Sequence, residues 1–232
     1  MRNLKQTAFA VLLLPLMACG GGAQQQAPAE TPVQDSLKNQ VVETIMTRRS
    51  VRQYKPQAVE REKMQTIVEC GINAPNAMNK QPWEVRVVDN ADYINGVTEL
   101  YKKANPKAAE DPAFKNMFRN APTVVFIGHD TKSESSPFDC GLLAENMMIS
   151  AWSMGIGSCC LGSPARFMKT PEAAEYLQKL GFSEGYELLY CIGFGYPDEA
   201  PAAKPRDTSS DDAPARIAPI IIELSISAPV LS

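Results

Sequence analysis

The 232-residue chain is 44% hydrophobic and 21% charged, with 26 acidic residues against 23 lysines and arginines and a formal net charge of −3. That balance supplies a sizeable core and argues against nucleic acid as a partner bound by bulk electrostatics. Six cysteines without a C-x-x-C pair and a single histidine, His129, give no support to a zinc site, a thioredoxin-like motif or a histidine-based nucleophile system.

Residues 1–18 open with Arg2 and Lys5, followed by an apolar run from Ala8 to Met17. The run is far shorter than the roughly 20 residues of a spanning helix and reads as a signal peptide. The "LMAC" that ends it resembles the lipobox of bacterial lipoproteins. The resemblance makes Cys19 the expected lipid attachment site and implies a cell-envelope location, anchored to a membrane on its periplasmic side; an ordinary secretory signal is the alternative. Residues 19–35, "CGGGAQQQAPAETPVQD", are too poor in apolar side chains to offset their ordering entropy and read as a flexible tether. The domain is expected over 36–207, with a C-terminal extension over 208–232.

Within the domain, Leu37, Val41 and Ile45 are spaced as one face of a helix capped by Ser36, and Met64, Ile67, Val68, Gly71 and Ile72 as the face of a second; both are read as core faces. "WEVRVVD" (83–89) alternates like a strand, and "TVVFIGH" (123–129) reads as a buried one with His129 at its end. A long helix from about Phe138 to Met154 is apolar around most of its circumference and should be buried in the core or at a subunit contact. "GIGSCCLG" (155–162) reads as a small-residue loop. "YELLYCIGFGYP" (186–197) is expected to be the last core strand, and "PIIIELSI" (219–226) is a further strand candidate.

The stretch "TRRSVRQYKP" (47–56) concentrates three arginines in an acidic protein. An exposed basic turn is the simplest account. If the chain is extended here, as Pro56 forces for Lys55, a period of two puts Arg48, Ser50 and Arg52 on one side, where guanidinium forks and a hydroxyl suit a phosphate or the polar edge of a ring. Three other patches join it: the amide-rich turn "APNAMNKQPW" (74–83), the loop "GIGSCCLG" and the "KPR" at 204–206.

Taken in this order, R-R-S-x-R, N-x-Q-P-W, G-x-G-S-C and G-Y-P…K-P-R resemble the nitroreductase family of FMN-dependent oxidoreductases over about residues 38–206. The resemblance implies an α+β fold with a central, mainly antiparallel sheet flanked by helices, in a homodimer with FMN at the interface and a C-terminal strand exchanged between subunits. It implies that Arg48, Arg49, Ser50 and Arg52 hold the FMN phosphate, ribityl chain and pyrimidine edge, with Lys204 and Arg206 as a second phosphate clamp. Pro75, Asn76, Ala77 and Asn79 match the turn that reaches the flavin of the other subunit, with Gln81 and Trp83 holding that turn. Backbone N–H groups around Leu161 and Gly162 are expected to face flavin O4 and N5. The chemistry then belongs to the cofactor, and no catalytic acid or base is assigned to the protein.

On this reading the protein is an oxidoreductase that reduces a small, planar, electron-poor acceptor such as a nitroaromatic or quinone, with NAD(P)H as the candidate electron donor. A reductive dehalogenase-like relative with residues 101–118 as its lid, and a flavin-binding lipoprotein without turnover, are the alternatives. The adjacent Cys159 and Cys160 are read as small packing residues rather than a redox pair, because adjacent cysteines make a strained disulfide.

Overall fold

The computed structural model describes residues 39–206. Cys19, the tether, Ser36, Leu37 and the 219–226 strand candidate lie outside the described residues. The helices are α1 (Gln40–Thr47), α2 (Arg61–Ile72), α3 (Ala91–Ala104), α4 (Pro106–Glu110), α5 (Ser136–Ser153), α6 (Gly162–Met168) and α7 (Ala174–Lys179). The strands are β1 (Trp83–Val88), β2 (Thr123–Asp130), β3 (Gly157–Leu161) and β4 (Tyr186–Gly195). They form one sheet in the order β1-β2-β4-β3, and every neighbouring pair is antiparallel. This is the expected α+β architecture with a central antiparallel sheet and flanking helices.

Strand periodicity explains why both faces of the sheet are covered. Along β2, Val125 and Ile127 join one core with α2 and α5, whereas Val124 and Phe126 join a second with α3, α6 and α7. All four are fully buried, each contributing about 1.5–3 kcal/mol relative to exposure. In the first core, the stripe Cys140, Leu143, Ala144, Met147, Met148 and Ala151 of α5 packs on Met64 and Ile67 of α2, the i, i+3, i+4 spacing of a helix with one inward face. His129 falls within β2, opposite Trp83, and its Nδ1 is buried without a hydrogen-bond partner among the described residues.

Two kinds of expectation are corrected, helix faces first. The apolar face of α1 is not a core face: Val41 is 65% and Ile45 49% exposed, and the buried residue of this helix is Thr44. Only the polar-flanked side of this two-turn helix meets α5, so its apolar side points away from the chain's own core. Ile72, expected on the inner face of α2, is likewise exposed, because it closes the helix beyond its last inward turn at Gly71.

The second correction concerns residues 157–161, which are a strand and not a loop. β3 pairs along its whole length with β4, Gly157 against Gly195 and Leu161 against Cys191. Small residues suit it because something else lies close: the Val51 side chain packs where a Gly157 side chain would stand, with Val51 Cγ2 2.7 Å from an ideal Cβ at that position.

Candidate flavin site

The basic segment leaves α1 and crosses to the outer edge of β3. Ser50 forms a parallel bridge with Ser158, the Val51 N–H donates to the Ser158 carbonyl at 3.0 Å, and Val51 is fully buried. The chain beyond β4 returns to the same place, where Tyr54 bridges Pro197, the Asp198 N–H donates to the Gln53 carbonyl at 3.0 Å, and the Glu199 carboxylate accepts from the Arg52 and Gln53 amides. Two stretches far apart in sequence thereby fix the backbone that carries the arginines.

The arginines have different occupations. The Arg48 guanidinium pairs with Glu145 of α5, Nε to Oε1 at 3.3 Å. Arg49 turns back on the end of α1 and donates from Nη1 to the Met46 and Arg48 carbonyls, both at 2.8 Å, a cationic cap on carbonyls that the helix leaves unpaired. Arg52 donates from Nη1 to its neighbour Ser50 at 3.1 Å and otherwise lies exposed on a cleft. Lys204 and Arg206 lie in exposed coil beyond Glu199 and do not line that cleft.

The cleft, about 480 Å³, has three walls. One is Arg52. The second is the end of β3 and the start of α6, where Cys160, Leu161, Gly162 and Ser163 line it. A side chain at Gly162 would meet nothing within 4 Å, so the backbone here is open to close approach. The third wall is Tyr101 together with residues 111–120. A larger hollow of about 540 Å³ beside β1 and α7 is lined by Asp89, Asp92 and Lys179 and lacks such a concentration of guanidinium groups.

Residues 116–121 of the third wall form a turn built by asparagine side chains. Asn120 Oδ1 accepts from the Lys115 and Asn116 amides at 2.9 Å each, and its Nδ2 donates to the Ala113 carbonyl at 3.0 Å. Asn116 Oδ1 accepts from the Phe118 amide and its Nδ2 donates to the Ala121 carbonyl. These bonds hold Arg119 and Asn120 at φ of 59° and 63°, a left-handed conformation that costs a residue with a side chain roughly 1–2 kcal/mol. The sequence reading missed Arg119; its only signal is the "RNAP" that precedes β2.

Cys159 and Cys160 alternate on β3, Cys159 turned into the second core and Cys160 exposed on the cleft. Burial pushes the Cys159 thiol up, against the opposing pull of the Arg52, Arg119 and Arg48 charges. Desolvation and the neighbouring Cys159 also push Cys160 up. The packing reading fits Cys159, which is buried in the second core, and not Cys160, which is exposed.

The amide-rich turn lies elsewhere, at the start of α5. Asn76 Oδ1 accepts from the Gln81 amide at 2.8 Å, and Met78, Asn79 and Gln81 are all left-handed, with φ of 54°, 53° and 49°. Buried Asp139 underpins it, accepting from the Ala77 amide at 3.3 Å and from the Ser135 hydroxyl at 3.0 Å. The Trp83 amide donates to the Gln81 carbonyl at 2.8 Å, Trp83 is buried, and Met78 at the tip of the turn is 80% exposed. None of Pro75, Asn76, Ala77 and Asn79 lines the arginine cleft of the same chain.

Chemically, the cleft combines the Arg52 guanidinium, an open glycine backbone and an aromatic wall. That donor set fits a phosphorylated planar heterocycle such as FMN. Residues 45–196 match the nitroreductase family. The NADPH-flavin oxidoreductase of Vibrio harveyi is 26% identical over 176 residues, covering 72% of this chain and 70% of that protein. A nitroreductase with bound FMN from Bacteroides fragilis is 26% identical, with a TM-score of 0.64 over 80% of this chain and 100% of the other. A nitroreductase with bound FMN from Desulfitobacterium hafniense is also 26% identical, with a TM-score of 0.65 over 79% of this chain and 99% of the other. The chain belongs to the nitroreductase family.

Proposed function

We propose that this chain, as an FMN-dependent oxidoreductase of that family, takes electrons from a donor such as NAD(P)H and reduces a small, planar, electron-poor acceptor, a nitroaromatic or quinone. The observation that carries the reading is the cleft in which Arg52, the Leu161–Gly162 backbone and the Tyr101–Phe114 wall converge. When bound there, FMN supplies two-electron chemistry that no side chain of the cleft can provide. The protein's part is to bind and orient. Arg48 and Arg52 offer charge-assisted donors, with Arg49 bracing the backbone between them. Ser50 is fixed against β3 by its bridge to Ser158. Lys204 and Arg206 are free of partners among the described residues and available as a second clamp. Gly162 leaves room for a ring against the strand end, and the Tyr101 and Phe114 rings, stacked at 5.7 Å, form the facing wall.

The exposed apolar side chains of α1, together with Met78 and Phe138, support a homodimer, in which the Asn76 turn of each subunit serves the other's cleft. The full chain should purify with a flavin absorption spectrum or take up added FMN, scatter light as a dimer, and be reduced by a donor in stopped flow faster than free FMN. A flavin reduced no faster than free FMN would favour the carrier reading, and a colourless chain that fails to quench FMN fluorescence would remove the flavin reading.

We also propose that Cys19 carries a lipid that anchors the protein in the cell envelope; no helix among the described residues is long and apolar enough to cross a membrane. Cys19→Ser should move the protein from the membrane to the soluble fraction. Unchanged sedimentation with membranes would defeat the anchor.

A further inference from the structure

Arg119 is left over once the cofactor's donors are assigned. The phosphate donors proposed above, Arg48, Arg52, Lys204 and Arg206, belong to the segments 48–52 and 204–206, of which Arg52 alone lines the cleft. Arg119 stands on a different wall, on a turn whose backbone five asparagine side-chain bonds hold in the left-handed region. Its guanidinium makes no hydrogen bond or ion pair among the described residues. The acid that shares the cleft, Asp111, is engaged with the Ala113 amide at 2.9 Å. The wall beside Arg119 is aromatic: Tyr101 stacks on Phe114 at 5.7 Å and meets Phe167 edge-on at 5.1 Å. An exposed, unpaired guanidinium carried on a fixed turn beside an aromatic wall suits a flat ring bearing a carboxylate, held by stacking and by two parallel charge-assisted hydrogen bonds.

We infer that Arg119 is a specificity-determining residue that selects aromatic substrates carrying an anionic, carboxylate-type substituent over their neutral counterparts. The inference rests on the flavin reading of the cleft and names the substrate class within it.

The test uses the full chain loaded with FMN, titrated with benzoate and with its neutral counterpart benzamide, binding being read from the perturbation of the flavin absorption bands. Arg119→Gly removes the guanidinium and tolerates the positive φ, so it should fold at least as well as the parent. It should weaken benzoate about 10- to 100-fold, the loss of a charged hydrogen-bonding partner, and benzamide less than about twofold. Arg119→Lys, which keeps the charge but not the planar fork, should fall between the two. FMN affinity, measured separately by fluorescence quenching on the apoprotein, should stay within about twofold of the parent.

Equal losses for benzoate and benzamide, or no loss for either, overturn the inference while leaving the flavin reading intact. So does a loss of FMN affinity that spares riboflavin, which would give Arg119 to the cofactor phosphate. A parent chain that takes up no FMN overturns the flavin reading itself and this inference with it.

Discussion

Arg52→Ala is expected to weaken FMN about 10- to 100-fold while changing riboflavin much less, because a guanidinium bonded to phosphate contributes on the order of 1.5–3 kcal/mol and each 1.4 kcal/mol is a factor of ten. The structure separates this effect from damage to the fold. Among the described residues the Arg52 guanidinium bonds only to the carbonyl of Ser50, two residues away, while the backbone amide that holds the segment to Glu199 survives in alanine. Arg48→Ala should give a similar loss for FMN with a further small cost, since it releases Glu145 from an ion pair whose carboxylate is 44% exposed, and such pairs are worth about 0–1 kcal/mol. The measurement is fluorescence quenching of FMN and riboflavin by each apoprotein, with thermal melts alongside. Equal losses for the two ligands would move that arginine from the phosphate to the ring. No loss for either would take it out of the site.

What was legible in the sequence follows from how local the signal was. Strands β1, β2 and β4 and helices α2 and α5 bury faces whose spacing is written in consecutive residues, so periodicity finds them. β3 carries no such pattern: "GSCCL" is small because Val51, about a hundred positions earlier, packs on it. α1 shows a clean apolar spacing, but periodicity says only that a face will be covered, not that the chain's own core will cover it; Val41 and Ile45 are turned outward. The arginine segment was found by composition, and its neighbours Leu161 and Gly162 through resemblance. Arg119 was missed because nothing around it repeats: its place depends on the side-chain bonds of Asn116 and Asn120, a hydrogen-bond pattern rather than a hydrophobic one. Asp139 was missed for the same reason, since an acid in the first turn of a helix is ordinary until the Ala77 amide is seen to donate to it.

Gly157 links the missed strand to the found arginines, and replacing it should separate packing from direct contact. An alanine Cβ at this position would stand 2.7 Å from Val51 Cγ2 and 2.8 Å from Val51 Cβ, closer than real contacts allow. Val51 is fully buried and tied by its amide to Ser158, so it cannot swing away as a flexible side-chain end would. The relief open to the chain is to move residues 50–52 off the edge of β3, carrying Ser50 and Arg52 with them. Gly157→Ala should therefore cost about 1–3 kcal/mol of stability as an overpacking mutation. It should also weaken FMN severalfold or more, although Gly157 does not line the cleft. Adding Val51→Ala removes the two methyl groups and leaves only the Cβ contact at 2.8 Å, a smaller displacement to absorb, so the double variant should melt higher than the sum of the two single losses predicts and recover part of the FMN affinity; neighbours that share one space are expected to couple in this way. Thermal melts and FMN quenching on the four proteins of the cycle decide it. If the two losses simply add and FMN affinity is the same in Gly157→Ala as in the parent, then β3 does not set the position of the arginine segment, and the cleft must be held together by the return of residues 197–199 alone.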